Sequence, residues 1–378
     1  MEQAVQPRTM PELIDDVIWQ ILVRIPPDES AYLAGASLVC KLWHRIISDP
    51  GFARRYRELH RTPPLLGFLH NTESGLLFFP TPAACPFPQP AFDFRRRWAL
   101  DYRRLRALDC RHGRVLLRQS DKRNFLVWDP ITGDHKELPN PPHSPLLLYS
   151  AMVLCAVAGC YHGDCIGGPF LVVLVASCSS GSARGCVYSS EARAWGTPAS
   201  LHSGNGQLVN VKRPALVRDD AYFIMCHDAK ILRYNLDKNR FSAIDLPDGY
   251  SWTVDVMPTD DGSLGLAGIR DSNLCLWSRE VNPKGGVARW VQRRVIQLEK
   301  LPSINISCKR ASVVGFAEGA GVIFVTINTS STFFMIELKS GRVRELSEVA
   351  GFFRFLPFMS FYNPGSASNV LPLPAERK

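Results

Sequence analysis

Residues 125–139 read FLVWDPITGDHKELP, which is an apolar strand with an aromatic residue, a polar turn, and a strand ending in an apolar–proline step. The same phrase, in some copies with an acidic ending, recurs as ILRYNLD with IDLP (residues 231–237 and 244–247), as FFMIELKSG with REL (residues 333–341 and 344–346), and more weakly at residues 185–195 and 274–297. Short β-branched or aromatic runs bounded by Gly, Asp, Asn and Pro are typical of strands and turns. The pattern predicts an all-β domain from residue 65 onward.

The phrase recurs at intervals of roughly 45 to 60 residues, which is near the length of one blade of a β-propeller. Five blades can be read from the sequence. Strands within residues 65–79 and 351–361 would complete a further blade by bringing the two ends of the chain together. We therefore predict a β-propeller of about six blades. A pair of β-sandwiches is the alternative, because the repeat is degenerate and lacks a kelch double-glycine or Trp-Asp signature.

The first fifty residues have a helical pattern instead. Thr9 and Glu12 have capping-box spacing, and Pro11 suits a first helical turn, so a helix is expected to begin near residue 10. Its apolar stripe contains Leu13, Val17 and Ile21, widened by Ile14, Ile18, Leu22 and Ile25. Two further short helices are predicted, one capped by residues 28–30 and running to residue 37, and one over residues 38–47.

This small helical module carries more apolar surface than one small interior can bury. Trp19, Val39, Cys40 and Trp43 cannot all face the same core, so part of this surface is expected to belong to an interface with a partner. The alternative is that these residues pack against the neighbouring domain of the same chain. The residue pattern alone leaves both interpretations open.

Residues 10–27 (MPELIDDVIWQILVRIPP), 37–43 (SLVCKLW) and 48–50 (SDP) together resemble an F-box. That family opens with Leu-Pro, continues with an acidic residue and a Leu/Ile helix, and closes with Val-Cys-Lys-x-Trp and often Ser-Asp-Pro. Met10 stands where the family prefers Leu, and residues 28–35 lengthen the middle of the box slightly. Residues 52–68 resemble the large F-box families of plants, grasses especially, and the β-rich remainder resembles their F-box-associated β-propellers.

The resemblance implies a subunit of a Skp–cullin–F-box ubiquitin ligase. In that complex the box binds the Skp adaptor, and through it the cullin and RING proteins, while the rest of the chain binds a protein substrate. The chain itself is then no enzyme, because the RING partner recruits the charged ubiquitin carrier. The positions carried over as adaptor-binding or box-shaping are Met10, Pro11, Leu13, Leu22, Val39, Cys40 and Trp43.

The net charge of +9 is concentrated in residues 93–123, which hold eleven basic and four acidic residues. A solvated face is the simplest interpretation, and nucleic acid is not an expected partner because basic and aromatic residues do not alternate. Guanidinium groups bind phosphate through paired hydrogen bonds. If this segment lies on a loop face, an acidic or phosphorylated substrate segment would suit Arg95, Arg96, Arg97, Arg103, Arg104 and Arg106.

Eleven scattered cysteines without a CxxC pair, and a polar start to the chain, predict a reducing compartment, the cytoplasm or nucleus. The most apolar region, residues 146–178, is interrupted by turn residues, so two buried strands are expected rather than a membrane helix. Cys155, Cys160, His162, Asp164 and Cys165 carry groups that can bind zinc. Their spacing is not that of a structural zinc site, so buried apolar cysteines in strands are the favoured interpretation.

No motif for a cofactor, a nucleophile elbow, a phosphate-binding loop or a metalloprotease helix is present, and no cofactor or metal is expected. The predicted organisation is a flexible segment (1–9), the F-box (10–50), a helical or linker segment (51–64), the propeller (65–362) and a disordered tail (363–378). Two rival functions remain. One is an adaptor-binding chain with a non-degradative role, and the other is a β-propeller hydrolase, which would need clustered carboxylates at the blade tops.

Overall fold

The computed structural model describes residues 15–72, 75–81, 105–119, 124–142, 148–160, 162, 165, 167–177, 182–202, 209–210, 212–226, 229–250, 254–281, 288–301, 304, 311–327, 332–346 and 355–361. The expected flexible start (1–9) and disordered tail (363–378) lie outside the described residues.

From residue 15 onward, where the description of the chain begins, four helices form the N-terminal module: α1 (Asp15–Leu22), α2 (Ser30–Ser37), α3 (Lys41–Ser48) and α4 (Pro50–His60). A single 3-10 turn, Pro27–Glu29, precedes α2, and Glu29 stands at the N-cap without a side-chain hydrogen bond. The α3 helix begins three residues later than predicted, because Cys40 is extended and serves as its N-cap. Asp49 caps α4 by accepting hydrogen bonds from the backbone N–H groups of Gly51 (2.7 Å) and Phe52 (3.2 Å).

The rest of the described chain forms six antiparallel sheets. Blade 1 contains β1 (Leu65–Thr72), β2 (Gly75–Pro80) and the last strand of the chain, β24 (Phe355–Met359). Blade 2 contains β3 (Leu105–Arg111), β4 (Arg114–Gln119), β5 (Phe125–Trp128) and β6 (His135–Leu138). Blade 3 contains β7 (Leu148–Cys155), β8 (Phe170–Ser177), β9 (Ser182–Ser189), β10 (Ala194–Trp195) and β11 (Ala199–His202).

The second half of the ring repeats the same four-stranded arrangement three times. Blade 4 contains β12 (Ala215–Val217), β13 (Asp220–Ile224), β14 (Lys230–Asn235) and β15 (Arg240–Asp245). Blade 5 contains β16 (Asp255–Pro258), β17 (Leu264–Arg270), β18 (Asn273–Glu280) and β19 (Arg289–Gln297). A 3-10 turn, Leu298–Lys300, follows, and blade 6 contains β20 (Ala311–Ala317), β21 (Val322–Ile327), β22 (Thr332–Glu337) and β23 (Val343–Leu346).

Six apolar clusters lie between neighbouring blades, one at each of the six junctions of the ring. Successive side chains of a strand point to opposite faces, so each sheet can feed two clusters. In β8, Val172 and Leu174 pack toward blade 2, whereas Val173 and Val175 pack toward blade 4. Because both of its faces are buried, β8 reads as a continuous apolar run. The prediction of a β-propeller of about six blades is confirmed, and the chain does not form a pair of β-sandwiches.

The repeated sequence phrase corresponds to one structural unit, the hairpin between the third and fourth strands of a blade. It covers β5 with β6, β14 with β15, and β22 with β23, and its weaker copies fall on β9 with β10 and β18 with β19. The expected closing blade is also present, since β24 pairs with β1 from the other end of the chain. Sequence and structure therefore agree on what repeats and on how the ring closes.

The two ends of the central channel have different surroundings. Asn71, near the end of β1, hydrogen-bonds both backbone groups of Ala107 near the start of β3 (2.8 Å each). At the other end, Arg61, Thr62 and Pro63, which follow α4, line a cavity together with the ends of β3 and β24. We call the end beside the helices the proximal mouth and the opposite end the distal mouth.

Candidate functional site

The helical module has its own core, built from one face of each helix. Ile18 and Leu22 of α1, Leu33 of α2, Ile47 of α3 and Phe52 of α4 are buried together. Trp19, Leu42 and Trp43 are half-buried and pack against this cluster. The predicted stripe of α1 thus divides, because only the Ile18 and Leu22 face points inward.

A second set of apolar residues of the module faces outward. Val17 and Ile21 are four residues apart and so share one face of α1, and they are 42% and 52% exposed. Tyr32 of α2 and the turn residues Leu38 and Val39 are more exposed still, Leu38 at 84%. We call these five residues the F-box apolar surface. Exposed apolar area at this density on so small a module is typical of a surface that binds a protein.

The structure sorts the seven sequence-predicted positions into three groups. Leu22 belongs to the core, and Trp43 is half-buried against it. Val39 and Cys40 are exposed. Met10, Pro11 and Leu13 lie outside the described residues. Sequence reasoning did not single out Tyr32 and Leu38, although Leu38 precedes a residue that it did select.

The module is fastened to the propeller through α4. Phe361, just after β24, packs into the core of the helices, and its ring lies 6.1 Å from that of Tyr56 in an edge-to-face arrangement. The Tyr56 hydroxyl donates to the carbonyl of Ile25 (2.8 Å), and a His60 ring nitrogen lies 2.9 Å from the carbonyl of Val23. Burial raises the pKa of Tyr56, and the Asp28 carboxylate adds to this, so the hydroxyl stays protonated. The helices and the ring therefore share one packed joint.

The central channel is filled by a bulge of blade 4. Val209 pairs with Met225 and Ala215 pairs with Tyr222, so the inner strand spans this interval with more residues than its partner. The extra residues of the inner strand include Lys212 and Arg213, which lie in the channel. Lys212 donates to the carbonyls of Val254 (2.7 Å) and Val313 (3.3 Å), which belong to the segments that lead into and form the inner strands of blades 5 and 6.

Arg213 and Arg111 together enclose the buried carboxylate of Asp109. Arg213 Nε lies 2.8 Å from Asp109 Oδ1, and Arg111 Nε lies 3.0 Å from Oδ2. The backbone N–H of Val153 donates the third hydrogen bond to this carboxylate, at Oδ2 (3.0 Å). Burial disfavours the ionised carboxyl group, but the two guanidinium groups outweigh it and hold the pKa of Asp109 below its usual range.

The proximal mouth is a cavity of about 200 Å³ at the joint between helices and ring. Arg111 reaches it with Nη1, which lies 2.6 Å from Glu318 Oε2. The His112 and His162 rings are in contact there, with centroids 3.9 Å apart and planes inclined by 33°. Burial lowers the pKa of His112 to about 3, and His162 and Arg111 contribute, so this imidazole is neutral at physiological pH. The described carboxylates of the channel, Asp109, Asp255 and Glu318, each lie beside a cation. This arrangement is not that of an acid–base pair.

The cysteine-rich segment between β7 and β8 differs from expectation. Cys155 is the last residue of β7, as a strand interpretation requires, but Cys160, His162 and Cys165 lie in the following loop. Cys165 is buried, Cys155 and Cys160 are half-buried, and His162 is exposed. Asp164 lies outside the described residues. The prediction that these cysteines sit in strands is therefore wrong for Cys160 and Cys165.

Of the six arginines proposed to contact substrate, only Arg106 falls within the described residues. It is the second residue of β3, half-buried toward the distal mouth, and its Nη1 donates to the carbonyl of Leu105 (2.9 Å). The other arginines, at positions 95, 96, 97, 103 and 104, lie outside the described part of the chain.

Comparison with protein families supports both halves of the architecture. A family model described as "F-box protein AT5G49610-like, beta-propeller" matches residues 106–365, which is more than half of the chain. The chain belongs to this family. A second model, the F-box domain, matches residues 10–55 and so covers the helical module with its apolar surface. F-box domains in general bind Skp1-type adaptors, and F-box β-propeller proteins are typically adaptors without catalytic activity.

Comparison with other proteins adds little to this assignment. No curated protein matches the sequence. Matching solved structures include a protein from Lactobacillus plantarum (14% identity, 65% of this chain and 70% of that one, TM-score 0.38). Another is the WD40 domain of SCAP from fission yeast (14% identity, 69% and 57%, TM-score 0.38). At these TM-scores the matches carry no argument about function.

Among the described residues, no helix combines the length and the apolar character that crossing a membrane requires.

Proposed function

We propose that this chain is the substrate-recognition subunit of a Skp–cullin–F-box ubiquitin ligase, acting in the cytoplasm or nucleus. The observation that carries the proposal is the F-box apolar surface, which stays exposed on a module whose core is complete without it. A Skp-type adaptor would cover this surface and connect the chain to the cullin and RING proteins.

The mechanism we propose is proximity. One end of the chain holds the ligase and the other holds a protein substrate, so substrate lysines reach a high effective concentration near the activated ubiquitin. The joint around Tyr56 and Phe361 supports this, because a packed connection fixes the distance between the two binding ends. The chain then needs no catalytic residue of its own.

We place the substrate on the distal mouth and the loops around it. The helices and the linker residues Arg61 to Pro63 already occupy the proximal side. Arg106 lies toward the distal mouth, and the neighbouring arginine-rich segment would favour an acidic or phosphorylated substrate. Charge reversal at Arg95, Arg96 and Arg97 should weaken substrate capture while leaving adaptor binding intact. Unchanged capture by that variant would remove the support for an acidic substrate.

The adaptor assignment is tested by co-precipitation of the full-length protein with a Skp adaptor and cullin. Val39→Asp places a charge in the F-box apolar surface and should abolish adaptor binding. Val281→Asp is the matched control, since Val281 is equally apolar and 71% exposed but lies on the propeller. The proposal fails if the Val39 variant binds the adaptor as well as the control does.

The same Val39→Asp variant separates a degradative role from a non-degradative one. It keeps the propeller and its joint but should no longer deliver substrate to the ligase, so captured substrates should accumulate. Affinity capture with this variant followed by measurement of substrate lifetime gives the readout. Substrates whose lifetime is the same with the wild-type protein would favour an adaptor-bound chain that does not direct degradation.

A further inference from the structure

The loop between β7 and β8 is unusual within this propeller. In blades 2 and 4 the corresponding connection between the first and second strands is a two-residue turn, His112–Gly113 and Arg218–Asp219. In blade 3 it extends over residues 156–169. Ordering a long loop costs conformational entropy, and no strand pairing offsets that cost. A loop that buries one of its own residues therefore needs another source of stability.

Four potential ligand atoms converge in this loop. The sulfur atoms of Cys155, Cys160 and Cys165 and a ring nitrogen of His162 all lie within 4.8 Å of one another. Cys165 Sγ and His162 Nδ1 are 4.0 Å apart. Cys155 belongs to the rigid inner strand, so three loop residues gather around one fixed point. The convergence is in space only, which explains why the sequence spacing did not match a known zinc motif.

We propose that Cys155, Cys160, His162 and Cys165 bind one structural Zn²⁺ ion. Three thiolates and one imidazole form a complete tetrahedral set, in which zinc–sulfur bonds of about 2.3 Å place neighbouring ligand atoms about 3.8 Å apart. The widest separation here exceeds that value by about 1 Å. Side-chain rotation of the loop residues can close such a gap without moving the strand.

The surroundings suit a thiolate-rich centre. The backbone N–H of Val157 points at Cys155 Sγ (3.5 Å), and that of His162 points at Cys160 Sγ (3.3 Å). Hydrogen bonds of this kind stabilise the charged form of a ligand and orient it. Three thiolates exceed the charge of one Zn²⁺ ion by one, and the buried guanidinium of Arg114 lies next to the loop. It donates to the carbonyls of Cys165 and Gly168, the latter at 2.7 Å.

The backbone holds His162 in a conformation that few residues adopt. Its φ is 58°, in the left-handed region, and Gly159 (φ 67°) and Gly167 (φ 76°) reverse the chain on either side. In this position the His162 ring contacts the His112 ring at the proximal mouth. Zinc would therefore fix the wall of this cavity beside the helical module, which gives the site a structural role in the joint between the two domains.

The test uses the full-length protein, purified under reducing conditions without chelator. We expect stoichiometric zinc by elemental analysis. After removal of zinc, Co²⁺ should give the intense visible absorption of a tetrahedral ion and a thiolate-to-metal band in the near ultraviolet. Cys160→Ser and Cys165→Ser should each abolish stoichiometric zinc and change the Co²⁺ spectrum. Cys226→Ser, also half-buried but outside the cluster, is the matched control and should keep both.

A folded wild-type protein without zinc, and without a tetrahedral cobalt spectrum on titration, would overturn the proposal. So would retention of zinc in a Cys155→Ser/Cys160→Ser variant. A shortage of two free thiols in the metal-free protein after denaturation without reductant would also overturn it, because that result indicates a disulfide in place of the metal. Circular dichroism of each variant confirms that loss of metal is not loss of the fold. The experiment is independent of adaptor binding.

Discussion

Asp109 carries a buried negative charge in the interior of the channel. Its carboxylate has no exposure to solvent and lies between Arg111 and Arg213, which come from blade 2 and from the bulge of blade 4. A buried charge of this kind is costly without its partners, and the partners are equally costly without it. The ion pairs therefore connect two blades that are not neighbours in the ring.

Replacement of Asp109 by Asn should lower the free energy of unfolding by about 3–5 kcal/mol, because the largely buried Arg213 loses its ion pair and Arg111 keeps only its ion pair with Glu318. Urea unfolding followed by tryptophan fluorescence measures the change. The matched control is Asp245→Asn, which removes an exposed carboxylate 3.8 Å from Lys230 and should cost no more than about 0.5 kcal/mol. Equal losses in the two variants would contradict this role for Asp109.

The stabilisation by Asp109 should also depend on pH. Its pKa is lower in the folded chain than the value of about 3.9 expected on unfolding. The contribution is therefore complete above about pH 4 and is lost as the pH falls through the folded-state pKa. Urea unfolding of the wild-type and Asn variants between neutral and acid pH should give curves that converge below about pH 4. A difference that stays constant over this range would show that the pKa of Asp109 is not depressed.

At the scale of single elements, α1 has two apolar faces with different tasks. Ile18 and Leu22 complete the core of the helices, while Val17 and Ile21 face solvent. Adjacent positions on a helix are about 100° apart, so one broad apolar stripe can supply an interior and an interface at once. The helix is thereby both a structural element and part of the F-box apolar surface.

Substitutions on the two faces of α1 should have separable effects. Leu22→Ala should lower the free energy of unfolding of the module by about 2–5 kcal/mol, because it leaves a cavity in a closed core. Ile21→Asp should leave stability nearly unchanged and abolish adaptor binding. Thermal unfolding and adaptor co-precipitation of both variants provide the comparison. An Ile21 variant that unfolds early while still binding the adaptor would reverse the assignment of the two faces.

The sequence predicts correctly those elements whose structure is determined by residues nearby in the chain. The hairpin of residues 125–139 is specified by its own turn, where the Asp129 carboxylate accepts from the backbone N–H groups of Ile131 and Thr132, and Gly133 adopts φ 81°. The bulge that contains Lys212 and Arg213 depends instead on residues far away in the chain, since its hydrogen-bond partners belong to blades 2, 5 and 6. No periodicity within residues 209–215 indicates those contacts.

The residues of the candidate sites also differ in whether the local sequence identifies them. Val39 and Cys40 were identified because a motif carries them, but exposure of Tyr32 and Leu38 depends on how three short helices pack. The spacing of Cys155, Cys160, His162 and Cys165 does not predict a zinc site, because ligand spacing along the chain says little about a loop that folds back on a strand. Proximity in three dimensions is information that the linear pattern does not contain.

At the scale of the whole molecule, the joint between helices and ring should determine how rigidly the two ends are held. Phe361→Ala removes the propeller's contribution to the core of the helices and should loosen the joint. Hydrogen exchange should then rise across α4 and its neighbours while protection in the blades is retained. Phe358→Ala is the matched control, because Phe358 is buried between blades 1 and 2 and its loss should affect the ring instead. Unchanged exchange in α4 would show that the joint does not need Phe361.

The position of β24 has a consequence for biosynthesis. The ribosome makes this strand after all the other strands of the described chain, yet it is the innermost strand of the first blade. Until it emerges, β1 has an unpaired edge and the helices lack Phe361. A nascent or prematurely terminated chain therefore cannot seal its ring, and the chain reaches its finished shape only after translation has passed residue 361.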